Sequence, residues 1–115
     1  MNINVQLDSS EENKFYDKAL KREVCETFYE SGKLKERWTQ KGGKLHGVYM
    51  SYFESGVLEH KIEHLDGKED GIFESYFENG QLEAKGTNAQ GFHEGTWTRY
   101  YPSGKIFFKV SFVKD

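Results

Sequence analysis

The chain has 115 residues, 36% of them apolar and 16% aromatic, and a net charge of −3, which agrees with a single soluble domain. Nucleic acid is disfavoured as the main partner, because phosphate binding needs a net basic field or a concentrated basic stripe. No run approaches the ~20 apolar residues of a membrane-spanning helix and no apolar N-terminal stretch resembles a signal peptide, so the expected location is cytoplasmic.

Residues 1–21 read as an N-terminal capping segment. Within it, residues 9–21 admit two readings: Ser9 followed by Glu12 resembles the capping box of a short helix, whereas Lys14-Phe15-Tyr16 fits a capping strand, which is favoured.

Residues 22–115 form one domain of about four copies of a single unit. The phrase Phe28-Tyr29-Glu30-Ser31-Gly32-Lys33-Leu34 returns as Tyr52-Phe53-Glu54-Ser55-Gly56-Val57-Leu58, then Tyr76-Phe77-Glu78-Asn79-Gly80-Gln81-Leu82, then Tyr100-Tyr101-Pro102-Ser103-Gly104-Lys105-Ile106. The spacing is 24 residues each time. A fixed period of this size means stacked copies of one supersecondary unit. Three glycine columns, at 32/56/80/104, 47/71/95 and 43/67/91, mark where the chain reverses.

Between the turns the pattern has period two. Segments such as Leu58-Glu59-His60-Lys61-Ile62 carry mostly apolar residues at odd places with charges between them, as expected of a strand with one buried and one wet face. The return segments 48–53, 72–77 and 96–101 are rich in aromatic and β-branched residues. Each unit is therefore two strands and two turns, and the fold class is all-β, built from tandem 24-residue β-hairpins. The first unit is degenerate, with Glu23 where later copies have glycine.

Cys25, the one cysteine, shares a column with Tyr49, Phe73 and Trp97 and reads as a small core residue rather than a catalytic thiol. The aromatic columns Tyr49/Phe73/Trp97 and Tyr52/Tyr76/Tyr100 are the candidate partner-binding residues; their bland alternative is packing against the leucine column of the next strand. Residues 49 and 53 are expected on one side and 52 on the other. Arg37, Lys61, Lys85 and Lys109 form a basic column, about 10 Å apart if two strands separate them. Glu59 and Glu83, two places earlier, are expected on the same side. This column is either a mixed-charge solvated face or an anion-binding or lipid-binding one.

Catalytic signals are absent from the pattern. His46, His60, His64 and His93 fall in different columns, the carboxylates repeat with the period, and no nucleophile elbow or phosphate loop occurs. The chain is expected to be no enzyme and to need no metal or cofactor.

Units such as Gly43-Lys44-Leu45-His46-Gly47-Val48-Tyr49-Met50-Ser51-Tyr52-Phe53-Glu54-Ser55-Gly56 resemble the variant MORN repeat, and the resemblance covers about residues 23–115. It implies consecutive hairpins stacked into an elongated, twisted antiparallel sheet. Bacterial proteins similar to this one are commonly assigned as antitoxins or immunity partners in toxin-antitoxin systems, which implies a protein partner, a toxin, neutralised by surface coverage. The same resemblance leaves two alternatives: a peripheral membrane module holding acidic phospholipid, and a self-assembling repeat. The apolar C-terminal strand predicts a homodimer through that edge.

Overall fold

The structure, a computed structural model, describes residues 3–5, 12–17 and 21–113. These form one open sheet of eleven antiparallel strands and no helix. In chain order the strands are β1 (Ile3–Val5), β2 (Glu12–Asp17), β3 (Arg22–Phe28), β4 (Leu34–Lys41), β5 (Lys44–Leu45) and β6 (Gly47–Tyr52). They are followed by β7 (Leu58–Leu65), β8 (Lys68–Tyr76), β9 (Leu82–Ala89), β10 (Phe92–Tyr100) and β11 (Ile106–Phe112). Every strand pairs with its sequence neighbours except the short β5, which folds back on β4 so that β4 and β6 are adjacent. The slab measures 45 × 34 × 21 Å. The favoured strand in residues 9–21 is present as β2; Ser9, the helix cap of the alternative reading, lies outside the described residues.

Two turn types alternate. At the first, the Tyr29 N–H donates to the Lys33 carbonyl and the Gly32 N–H to the Tyr29 carbonyl, with Gly32 at φ 91°. This three-residue loop ends in a left-handed glycine, and it recurs at Gly56, Gly80 and Gly104 with the same two bonds. At the second, Asp66-Gly67 (φ 49° and 85°) and Gln90-Gly91 (φ 51° and 89°) form two-residue turns whose paired positive φ values match the twist of the flanking strands. The column that begins at His46 ties successive turns together: His46 Nδ1 accepts from the Asp66 N–H at 3.4 Å, and Asp70 Oδ2 from the Gln90 N–H at 3.3 Å. Histidine and aspartate serve equally there because only an acceptor is needed.

Each unit also carries a one-residue bulge that period-two reading does not reveal. The register passes from Ser51↔His60 to Tyr52↔Leu58, from Ser75↔Ala84 to Tyr76↔Leu82, and from Arg99↔Phe108 to Tyr100↔Ile106. The skipped residues are Glu59, Glu83 and Phe107, and Lys35 is skipped likewise between Thr27↔Glu36 and Phe28↔Leu34. A bulge of this kind reverses the facing of everything beyond it. Leu58 therefore lies on the side opposite His60 and Ile62, not with them as alternation predicts. Phe53 sits in the turn, where its N–H bonds the Val57 carbonyl, rather than continuing the strand face of Tyr49.

Burial in a single layer comes from neighbouring side chains. Val24 and Cys25 are each 1% exposed, on opposite faces of β3. Cys25 pairs with Trp38, the small side chain leaving room for the large one, which supports the core reading of the thiol.

Candidate functional site

The registers assign the paired residues of β3 to β11 to one of two faces. One carries Cys25, Trp38, Tyr49, Ile62, Phe73 and Trp97; we refer to it as the indole face. The other carries Tyr52, Tyr76 and Tyr100 with Arg37, Lys61, Lys85 and Lys109; it is the tyrosine face. The two aromatic columns predicted as partner-binding residues are thus separated by the thickness of the sheet and form no common site.

On the indole face the rings are linked. Trp38 and Tyr49 lie 6.2 Å apart, Phe73 and Trp97 5.0 Å, His93 and Trp97 4.1 Å, and His93 and Phe112 5.1 Å between centroids. Tyr49 donates to Glu36 Oε2 at 2.5 Å; burial, and then that hydrogen bond, push the phenol well above its ordinary pKa. Toward the C-terminal end the face opens into a groove of 440 Å³ lined by Phe73, Ser75, Ala84, Trp97, Arg99 and Phe108 among others. Ser75 and Ala84 are buried in it, whereas Phe108, Val110 and Phe112 are each more than 40% exposed. His93 Nδ1 lies 2.8 Å from Asn88 Oδ1, and the Asn88 amide donates to Glu69 at 3.1 Å, so the histidine ring is held in place beside Trp97.

On the tyrosine face the basic column is intact but interleaved with acid. The row running across the sheet reads Glu26, Arg37, Met50, Lys61, Glu74, Lys85, Thr98, Lys109. Arg37 binds Glu26 at 2.6 Å, and Glu74 stands between Lys61 and Lys85. Glu59 and Glu83, expected beside the basic column, are turned by the bulges to the indole face, where they accept from Ser51 at 3.3 Å and Ser75 at 3.1 Å. Two of the tyrosines lie along their own strands: Tyr52 reaches Met50 Sδ at 3.5 Å and Tyr76 donates to Glu74 at 3.0 Å, and burial, followed by the bond to Glu74, raises the Tyr76 pKa. All six predicted aromatics are partly covered by their neighbours.

Phe107, Phe108 and Phe112 stood out in the sequence only as parts of an apolar edge strand, and Arg99 and His93 were not singled out as binding residues. A signal was present in the columns. Arg99 stands where earlier units have Thr27, Ser51 and Ser75, Phe107 where they have Lys35, Glu59 and Glu83, and His93 where they have Leu45 and Glu69. The last unit breaks its own repeat, and the breaks gather at one place.

Ser51 Oγ is 3.0 Å from His60 Nδ1, and Glu59 lies 3.8 Å from that same nitrogen. Both partners meet one atom, whereas a nucleophile relay needs its carboxylate on the second ring nitrogen, and among the described residues none is bonded there. Among the described residues no group of three His, Cys, Asp or Glu side chains is placed to hold a metal ion.

No curated protein and no solved structure matches the chain. The family profile of the MORN repeat variant matches residues 24–41, 45–66, 69–87 and 94–114, one match on each hairpin unit. Repeats of this type generally serve as non-catalytic modules that bind proteins or membranes. With four matched repeats on a sheet whose turns and bulges keep the same period, the chain belongs to the MORN repeat variant family.

Proposed function

We propose that the chain is a non-catalytic protein-binding scaffold that engages its partner through the C-terminal part of the indole face. The observation that carries this reading is the exposed apolar set Phe107, Phe108, Val110 and Phe112 beside the half-covered Trp97 and the exposed His93. Such a patch on one face, rimmed by charge, is characteristic of an interaction surface, and aromatic anchors carry most binding energy at interfaces. In the form that its repeat type suggests, the scaffold is a cytoplasmic bacterial antitoxin or immunity-type protein that neutralises a toxin by covering its surface. The interleaved charges of the tyrosine face weigh against the lipid-binding alternative.

The test is co-purification with tagged wild type, a Trp97→Ala/Phe108→Ala variant and a Tyr52→Ala/Tyr76→Ala/Tyr100→Ala variant, all shown to be folded by circular dichroism. One protein retained by the tyrosine variant and lost with the Trp97/Phe108 variant is the expected result. If that protein is an enzyme whose purified activity stops at equimolar addition of the chain, the antitoxin form holds. Recovery of the same proteins by all three rules out the indole face.

A second reading, self-association, is favoured by β11. It is an edge strand, its outer backbone groups are unpaired by any described strand, and Ile106, Phe107 and Phe108 on it are 51%, 56% and 41% exposed. A second copy adding to this edge gives a homodimer.

A further inference from the structure

One column of the indole face runs Thr27, Ser51, Ser75, Arg99. In the first three units the hydroxyl donates to a carboxylate from the following strand: Thr27 to Glu36 at 2.9 Å, Ser51 to Glu59 at 3.3 Å and Ser75 to Glu83 at 3.1 Å. The fourth unit keeps a donor and loses the acceptor. Its following strand offers Phe107 at the bulge and Phe108 directly opposite Arg99, in the places of Glu59-His60 and Glu83-Ala84.

Among the described residues no carboxylate lies within 4.0 Å of the Arg99 guanidinium. The two carboxylates lining the same groove, Glu69 and Glu83, accept from Asn88 and Ser75. Arg99 also borders a second hollow of 300 Å³ with Phe77, Tyr101 and Phe107. A guanidinium set among aromatic rings, without an ion-pair partner, presents planar donors for a carboxylate, and charge-assisted bonds of this kind are about twice as strong as neutral ones. Glu69 and Glu83 nearby, and the net charge of −3, disfavour a polyanion and favour a single negative group on an apolar segment.

We infer that the fourth repeat docks a segment of a partner protein in which an Asp or Glu neighbours an aromatic or aliphatic residue. The carboxylate pairs with Arg99, and the apolar side chain fills the groove beside Trp97 and Phe108. This rests on the reading that the partner uses the indole face.

The experiment selects a phage-displayed random dodecapeptide library on the intact chain, then measures synthetic peptides from it against wild type, Arg99→Ser and Trp97→Ala. Arg99→Ser restores the residue of the second and third units, so the fold should be retained, and circular dichroism checks this. The expected outcome is enrichment of peptides with Asp or Glu within two places of an apolar residue. Arg99→Ser and a Glu→Gln change in the peptide should each weaken binding at least about tenfold, and together no further. Peptides without an acidic residue, or equal affinity for Arg99→Ser, overturn the carboxylate inference; if Trp97→Ala still abolishes binding, the aromatic-face reading survives. Loss with neither variant overturns both. Displacement of the peptides from wild type by the Arg99→Ser chain, which holds them only weakly itself, makes a second copy the occupant and also overturns it.

Discussion

The indole of Trp97 lies across the backbone of Gly86, in the volume that a Cβ at that position would occupy. Gly86 holds the place that Trp38, Ile62 and Val110 hold in the other units, so loss of a side chain on β9 makes room for the largest side chain on β10. The Trp97 Nε1–H then donates to the Thr87 carbonyl at 3.1 Å, which fixes the ring. Gly86→Ala is expected to displace the indole and to cost about 1–3 kcal/mol as overpacking. Denaturant unfolding followed by tryptophan fluorescence in a Trp38→Phe background reads both effects, and an unshifted midpoint with an unchanged spectrum would show that the pair is not a packing unit.

Alkaline stability is tied to Tyr49. Burial and the hydrogen bond to Glu36 raise its folded-state pKa above the ordinary 10.0. The neutral phenol therefore contributes its stability in full below about pH 10, and the contribution falls as pH rises above that value, where the unfolded chain ionises first. Tyr49→Phe should lose about 1 kcal/mol near neutrality and flatten the alkaline limb by one proton. A limb of unchanged slope would place the alkaline sensitivity elsewhere.

The charge order on the tyrosine face makes a prediction about membranes. With Glu26 on Arg37 and Glu74 between Lys61 and Lys85, wild type should not sediment with vesicles containing phosphatidylserine at physiological salt. A Glu26→Gln/Glu74→Gln variant frees the basic column, and at ~1 kcal/mol per cation near an anionic surface it should bind about tenfold more tightly. Strong wild-type binding that Lys61→Glu and Lys85→Glu abolish would restore the lipid alternative.

Self-association should depend on β11. Sedimentation of wild type at high micromolar concentration is expected to show a dimer, and Val110→Lys, which places a charge on the 41% exposed apolar edge, should shift it toward monomer by at least about tenfold in dissociation constant. A wild-type monomer throughout the range would discard the edge-paired form.

The period of 24 residues, the glycine columns and the apolar alternation were sufficient to determine an all-β stack of hairpins, because turn glycines and strand alternation are local requirements that each unit meets alone. Cys25 as a core residue and the separation of Tyr49 from Tyr52 follow from the same local rules. Only the tertiary structure decided which residues share a face beyond each bulge. One extra residue at Glu59, Glu83 or Phe107 reverses the facing of its flanks, and period-two counting carries no mark of it. The bulges took the acidic pair away from the basic column, moved Leu58 to the side of Tyr52, and set Phe107 and Phe108 together beside Arg99. Such juxtapositions depend on cross-strand register, a relation between residues distant in the chain, and so they became visible only when the strands were paired.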